Sequence, residues 1–207
     1  KQVTVRGRVL KHQSVSSSSR LSKNLKALVS ANDVGAPVEV RFLGRAAQVV
    51  SGHDGDFEAT FECGATPFPV GVQPVEAKAK SGAIGTATID VIADQAPFVV
   101  VSDFDDTLAI TRVIEKRGLL KAALLEDEAT QPVVPGMAEF YGCLKAVAPD
   151  RPGFALVSGS PEQYEPRIRG FLARHGFPLF GLYLRNIGPN TLSDYKQPVI
   201  RSLLKSM

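Results

Sequence analysis

The sequence predicts two domains, an antiparallel β-sandwich over residues 1–96 and an α/β core with a parallel sheet over residues 97–207. Three observations lead there. Apolar and polar residues alternate in Val3-Thr4-Val5-Arg6-Gly7-Arg8-Val9-Leu10, Val38-Glu39-Val40-Arg41-Phe42 and Phe57-Glu58-Ala59-Thr60-Phe61, the period of strands with one buried face. The second part instead carries unbroken apolar runs, Phe98-Val99-Val100-Val101 and Phe154-Ala155-Leu156-Val157, as expected of strands buried on both faces of a parallel sheet. Between the two styles lies Asp94-Gln95-Ala96-Pro97, a polar step closed by proline that reads as a linker.

Within the first part, the Asp54-Gly55 step of His53-Asp54-Gly55-Asp56 signals a hairpin between the second and third alternating segments. Further strands are expected at residues 69–75 and 85–93, completing a small sandwich. The serine run at residues 16–19 reads as a flexible loop, followed by a short helix at residues 21–29 that interrupts the sheet. Asp54 and Asp56 lack companion acids in calcium-loop register, so they are read as turn residues. His12, His53 and His175 have no metal-ligand spacing to one another or to cysteine.

In the second part, residues 111–127 carry Val113, Ile114, Leu119, Leu120, Leu124 and Leu125, which fits one helix or a pair broken at Gly118. Pro135-Gly136 opens a helix with Met137, Phe140, Tyr141, Leu144 and Val147 on one face, a core-packing pattern. Ser160 is placed as an N-cap, Pro161 as the first helical residue and Gln163 as the completing residue of a capping box. That helix would run through Tyr164, Ile168, Phe171 and Leu172 and stop at His175-Gly176. Gly181-Leu182-Tyr183-Leu184-Arg185 is the third core strand, and Lys196 lies near the start of a last helix continued by Leu203 and Leu204.

Composition sets bounds on function. Usage is ordinarily globular, with 44% hydrophobic and 22% charged residues. No apolar run reaches the roughly 20 residues of a spanning helix. The net charge of +3 is mildly basic, which would help approach to anionic lipid or a phosphorylated substrate and equally fits no such role. No lysine or arginine block marks a nucleic-acid surface. Cys63 and Cys143 fall in separate predicted domains, so no disulfide framework and a reducing compartment are expected, with a cytoplasmic or peripheral-membrane location. The oligomeric state is open.

The chemistry is expected where the first apolar run ends, in Ser102-Asp103-Phe104-Asp105-Asp106-Thr107-Leu108. Ligands of parallel sheets bind beyond the carboxyl ends of the strands, and two carboxylates, Asp103 and Asp105, crowd that edge. An acidic turn alone would account for the aspartates, but it would not require the second run to end in Ser158-Gly159-Ser160-Pro161.

Asp-x-Asp-x-Thr after a hydrophobic strand resembles the first motif of the haloacid-dehalogenase (HAD) superfamily, Ser158 matches its second motif and Lys196 its third. More closely, Asp103-Phe-Asp-Asp-Thr-Leu, Val134-Pro-Gly-Met137, Val157-Ser-Gly-Ser-Pro161 with Tyr164, Gly176-Phe-Pro178 and Leu182-Tyr-Leu-Arg185 resemble the signature of the actin-patch phosphatidate phosphatase family. The resemblance covers most of residues 97–200 and implies a HAD-like, Rossmann-like core similar to the lipin-type domain. The superfamily's fourth motif, with the acids that complete a magnesium site, is expected beyond Met207, so the core reads as C-terminally incomplete.

The resemblance implies that Asp103 attacks phosphorus to form an aspartyl-phosphate, and that Asp105 acts as general acid and then general base. It implies that Thr107, Ser158, Gly159 and Lys196 hold the phosphoryl oxygens, and that Mg2+ binds through the Asp103 carboxylate and the Asp105 carbonyl. Asp106 is read as structural, and Arg185 as either a substrate contact or one half of a buried pair. The substrate class implied is a phosphorylated lipid. A soluble phosphomonoester, or phosphatidate binding without hydrolysis, are the competing expectations.

Overall fold

The computed structural model describes residues 2–9, 33–111, 131–147, 152–185 and 192–206. The loop expected at residues 16–19, the helix at 21–29 and nearly all of the segment at 111–127 lie outside them. The chain divides into two compact units, Lys1–Val91 and Ile92–Met207.

Among the described residues the first unit holds two antiparallel sheets. In one, β1 (Gln2–Arg8) pairs with β4 (Asp56–Glu62); in the other the order is β3 (Arg45–Val50), β2 (Pro37–Phe42), β5 (Gly71–Ala79), β6 (Ile84–Val91). Alternation does what the sequence predicts: along β4 every second residue, Phe57, Ala59 and Phe61, is buried while Glu58 and Thr60 face outward. Both sheets feed one core, in which Val5 of β1 and Phe61 of β4 join Val38, Val40 and Phe42 of β2 and Val75 of β5.

The turn at Asp54-Gly55 forms, with Gly55 at φ 72° and its amide bonded to the Gly52 carbonyl at 3.0 Å. It does not close the expected hairpin. β3, which the sequence reading missed, precedes it, and the chain then passes into β4 of the other sheet, so the turn is a corner between sheets. A ladder hairpin forms instead at β2–β3, turning on Leu43 (φ 48°) and Gly44 (φ 76°). Two left-handed residues suit the twist of a two-residue hairpin. Leucine rarely adopts that conformation, which is why Leu-Gly gave no signal.

The second unit is built on a parallel sheet in the order β7 (Val99–Ser102), β8 (Gly153–Pro161), β9 (Gly181–Arg185). Among the described residues three α-helices accompany it: α1 (Met137–Val147), α2 (Glu165–Arg174) and α3 (Leu192–Ser206). β8 meets the expectation of two-faced burial, with every residue from Gly153 to Ser158 buried. β7 does not. Val99, Val100 and Val101 are only half-buried, because β7 is an edge strand among those described and has one ladder neighbour.

Two helix expectations are also corrected. On α1, Tyr141 is buried and Met137 and Leu144 pack beside it, but Phe140 and Val147 are exposed. At 100° per residue those two fall at the margin of the arc centred between Met137 and Tyr141. Ser160 and Pro161 do not open a helix. β8 runs through them, a 3-10 turn takes Glu162–Tyr164, and α2 starts at Glu165 with Pro166 in its first turn. Its buried residues are Ile168, Phe171 and Leu172, and it ends before Gly176 at φ 73°, as expected of a glycine stop.

Candidate active site

The last β7–β8 ladder pair is Ser102 with Leu156, so Asp103 leaves the sheet at its carboxyl edge, where Ser158 is still paired with Leu184 of β9. The loop after β7 is bolted to the core by its apolar residues. Phe104 is buried edge-on against the Phe171 ring of α2, centroids 5.2 Å apart, and Leu108 is wholly buried. The alternating acids are thereby turned to the partly open side. Amides of Leu108 and Ala109 both bond the Phe104 carbonyl, which closes the loop tightly.

Asp103 is held at both oxygens. Its Oδ1 accepts the Phe104 amide at 2.8 Å, and its Oδ2 receives Lys196 Nζ of α3 at 2.6 Å. The two side chains are 38% and 31% exposed, so the pair is reachable from solvent. Asp105 is held as well: Thr111 Oγ1 donates to Oδ1 at 3.0 Å, and Ser160 Oγ lies 3.4 Å from Oδ2. Asp106 occupies the left-handed corner of the loop at φ 56°, and its Oδ1 accepts the Thr111 amide at 2.9 Å, which gives it a structural task.

The end of β8 is irregular where the site needs it. Ser158 pairs with Leu184 of β9, but the next pair is Pro161 with Arg185, which leaves Gly159 and Ser160 in a bulge. Bulges re-aim side chains beside functional sites. Here the bulge carries Ser160 to Asp105. Ser158 is wholly buried, and its Oγ accepts the Ser160 amide at 3.0 Å, so in this state it pins the bulge. Thr107 is half-buried on the turn, its amide 3.4 Å from the Phe104 carbonyl. The fold thus brings Asp103 to Lys196 and Asp105 to Ser160, and Ser158 and Gly159 to the same sheet edge.

Sequence reasoning overlooked Thr111, Ser102 and the polar end of Tyr141. Tyr141 donates from its hydroxyl to Ser102 Oγ at 2.7 Å, and Ser102 Oγ donates to the Asp103 carbonyl at 2.9 Å. The only hint in the sequence is that a tyrosine replaces a purely apolar residue on the buried face of α1. Tyr164, in the 3-10 turn, has its hydroxyl pKa raised by burial, with the nearby Arg167 guanidinium partly offsetting the shift.

Among the described residues no three acidic, histidine or cysteine side chains cluster as a metal cage, and Cys63 and Cys143 are free. Asp103 and Asp105 supply hard oxygen donors of the kind magnesium takes, which is part of an octahedral set.

No curated protein matches the chain. Among solved structures it is similar to XAC1771, a carbohydrate acetylesterase from Xanthomonas citri, at 11% identity and a TM-score of 0.33. That likeness covers 75% of this chain and 46% of the other, so the chain spans less than half the length of that protein, and the similarity is too low to bear on fold or chemistry. The family described as phosphatidate phosphatase APP1, catalytic domain, matches residues 98–206, the span that contains Asp103, Asp105, Ser158 and Lys196. Because that match takes in more than half of the 207 residues, the chain belongs to the family of the phosphatidate phosphatase APP1 catalytic domain.

Proposed function

We propose that this chain carries a HAD-type phosphatase that hydrolyses phosphatidate or a related lipid phosphate through an aspartyl-phosphate on Asp103. One observation carries the reading: a half-exposed carboxylate at the sheet edge, oriented by a main-chain amide and charge-paired to Lys196 at 2.6 Å, with a second carboxylate two residues on. Family membership supports the same substrate class.

The chemistry follows from charge. A carboxylate and a phosphate repel each other, and the Lys196 ammonium reduces that repulsion at the oxygen it holds. Asp103 forms a bond to phosphorus while the bond from phosphorus to the leaving oxygen breaks, and Asp105 gives its proton to that oxygen. Asp105 then takes a proton from water as the water attacks the same phosphorus, which releases phosphate and restores Asp103. Thr111 and Ser160 keep the Asp105 carboxyl aimed through both steps. Thr107, Ser158 and Gly159 are assigned to the phosphoryl oxygens, and the Ser158 hydroxyl can donate its own proton there while its oxygen accepts the Ser160 amide. Magnesium, held by the Asp103 carboxylate and the Asp105 carbonyl, would supply further positive charge.

The test is phosphate release by the complete protein with magnesium, from phosphatidate in mixed micelles and from a water-soluble phosphomonoester, for the parent and for Asp103→Asn. Preference for the lipid, lost in the variant, is the expected result. Preference for the soluble ester would move the substrate class, and binding of phosphatidate without release would overturn the enzyme reading.

A further inference from the structure

The geometry points to Tyr141 and Ser102 as positioning residues for Asp103, acting through a buried chain of hydroxyls that fixes the peptide plane following it. This deepens the proposed reaction and rests on Asp103 being its nucleophile. Tyr141 is 4% exposed and lies among Phe154, Phe177 and Phe180, with ring centroids 5.5–6.1 Å away. A phenol there is a polar group in an apolar core, where phenylalanine would pack equally well. Such a group persists when its hydroxyl has a partner, and the partner is Ser102 Oγ at 2.7 Å.

The direction of the chain is forced. The Asp103 carbonyl can only accept, so Ser102 donates to it, at 2.9 Å, and therefore accepts from Tyr141. The Asp103 carbonyl also lies just past the last ladder pair, where the sheet no longer holds the backbone. The consequence reaches the carboxylate. The same planar peptide that carries this carbonyl carries the Phe104 amide, and that amide donates to Asp103 Oδ1 at 2.8 Å. Holding the oxygen end of the plane therefore holds the donor that orients the nucleophile. Oδ2 is left facing Lys196. The α1 helix, through Tyr141, thus sets the angle of attack.

The experiment is a double-mutant cycle in the complete protein, with Tyr141→Phe, Ser102→Ala and the pair, read as kcat and KM for phosphatidate micelles at saturating magnesium, alongside thermal melts. Each single change is expected to lower kcat about tenfold with KM held within twofold, since small misplacements of a reacting group cost rate rather than binding. The pair is expected to lose no more than either single change, because both cut one chain. Unchanged kcat in folded Tyr141→Phe, additive losses, or kcat and KM that shift together with the melting temperature would overturn the assignment. If Tyr141→Phe does not fold, Ser102→Ala probes the same chain from its other end under the same criteria. Asp103→Asn separates the two failures. Turnover retained in that variant removes the nucleophile and this proposal with it, whereas an inactive Asp103→Asn beside a fully active Tyr141→Phe removes only the positioning role.

Discussion

β4 in the first unit and β8 in the second are of similar length, seven and nine residues, yet they solve burial differently. β4 buries alternate residues and leaves Glu58, Thr60 and Glu62 in water, where Glu58 pairs with Arg6 across the strand at 2.7 Å. β8 buries six residues in succession and then breaks register at Gly159-Ser160. A strand that spends one face on solvent can place charge anywhere along its length. A strand buried on both faces can present polar groups only at its end, and there they concentrate. The difference teaches why the strands of the first unit can carry an ion pair such as Arg6–Glu58 on their open face while the polar groups of β8 gather at its end.

Four substitutions bear on that contrast, ordered by expected effect. Asp103→Asn is expected to lower phosphate release on the order of a thousandfold or more while leaving the melt nearly unchanged, because the half-exposed carboxylate serves chemistry rather than packing. Lys196→Met should cost about a hundredfold in kcat, as loss of one donor to a charged transition state does. Its effect on stability should be under about 1 kcal/mol, since the ion pair is partly solvated. A melt that falls sharply in either variant would mean the edge of the second unit is structural in the way the first is.

In the first unit the expected effects are on folding alone. Phe42 is 1% exposed and packs against Phe61 and Phe68, so Phe42→Ala should cost about 3–5 kcal/mol in denaturant unfolding of that unit, with kcat of the folded protein unchanged. Gly7→Ala should cost about 1–3 kcal/mol. Gly7 pairs with Phe57 across β1 and β4, and a methyl there would sit 2.4 Å from the tip of the Phe57 ring, which lies over the glycine. If either change lowers kcat in folded protein, the first unit has a part in the reaction.

Much of the fold was legible because neighbouring residues carry it. Alternation announced β1, β2 and β4, and apolar runs announced β7 and β8. β3 was not legible, since Arg45-Ala46-Ala47-Gln48-Val49-Val50 is half-exposed or exposed throughout and shows no period. The helix start was misplaced at Ser160-Pro161 for a different reason. A serine before proline satisfies the local rules of capping, but pairing of Pro161 with Arg185 extended the strand instead. Tyr141 was legible as a core residue, but its hydroxyl partner was not.

By itself the sequence determined which side chains could do chemistry: acids two apart after an apolar run, serines after a second run, and a lysine before amphipathic residues. Only tertiary structure decided which of them meet. Lys196 reaches Asp103 across 93 residues of chain, Ser160 reaches Asp105 across 55, and Tyr141 reaches Ser102 across 39. Local pattern records what each residue prefers next to its neighbours in the chain. Contacts at that separation depend on strand register, on a two-residue bulge and on the phase of a helix against the sheet, and those are set by the packing of the whole unit.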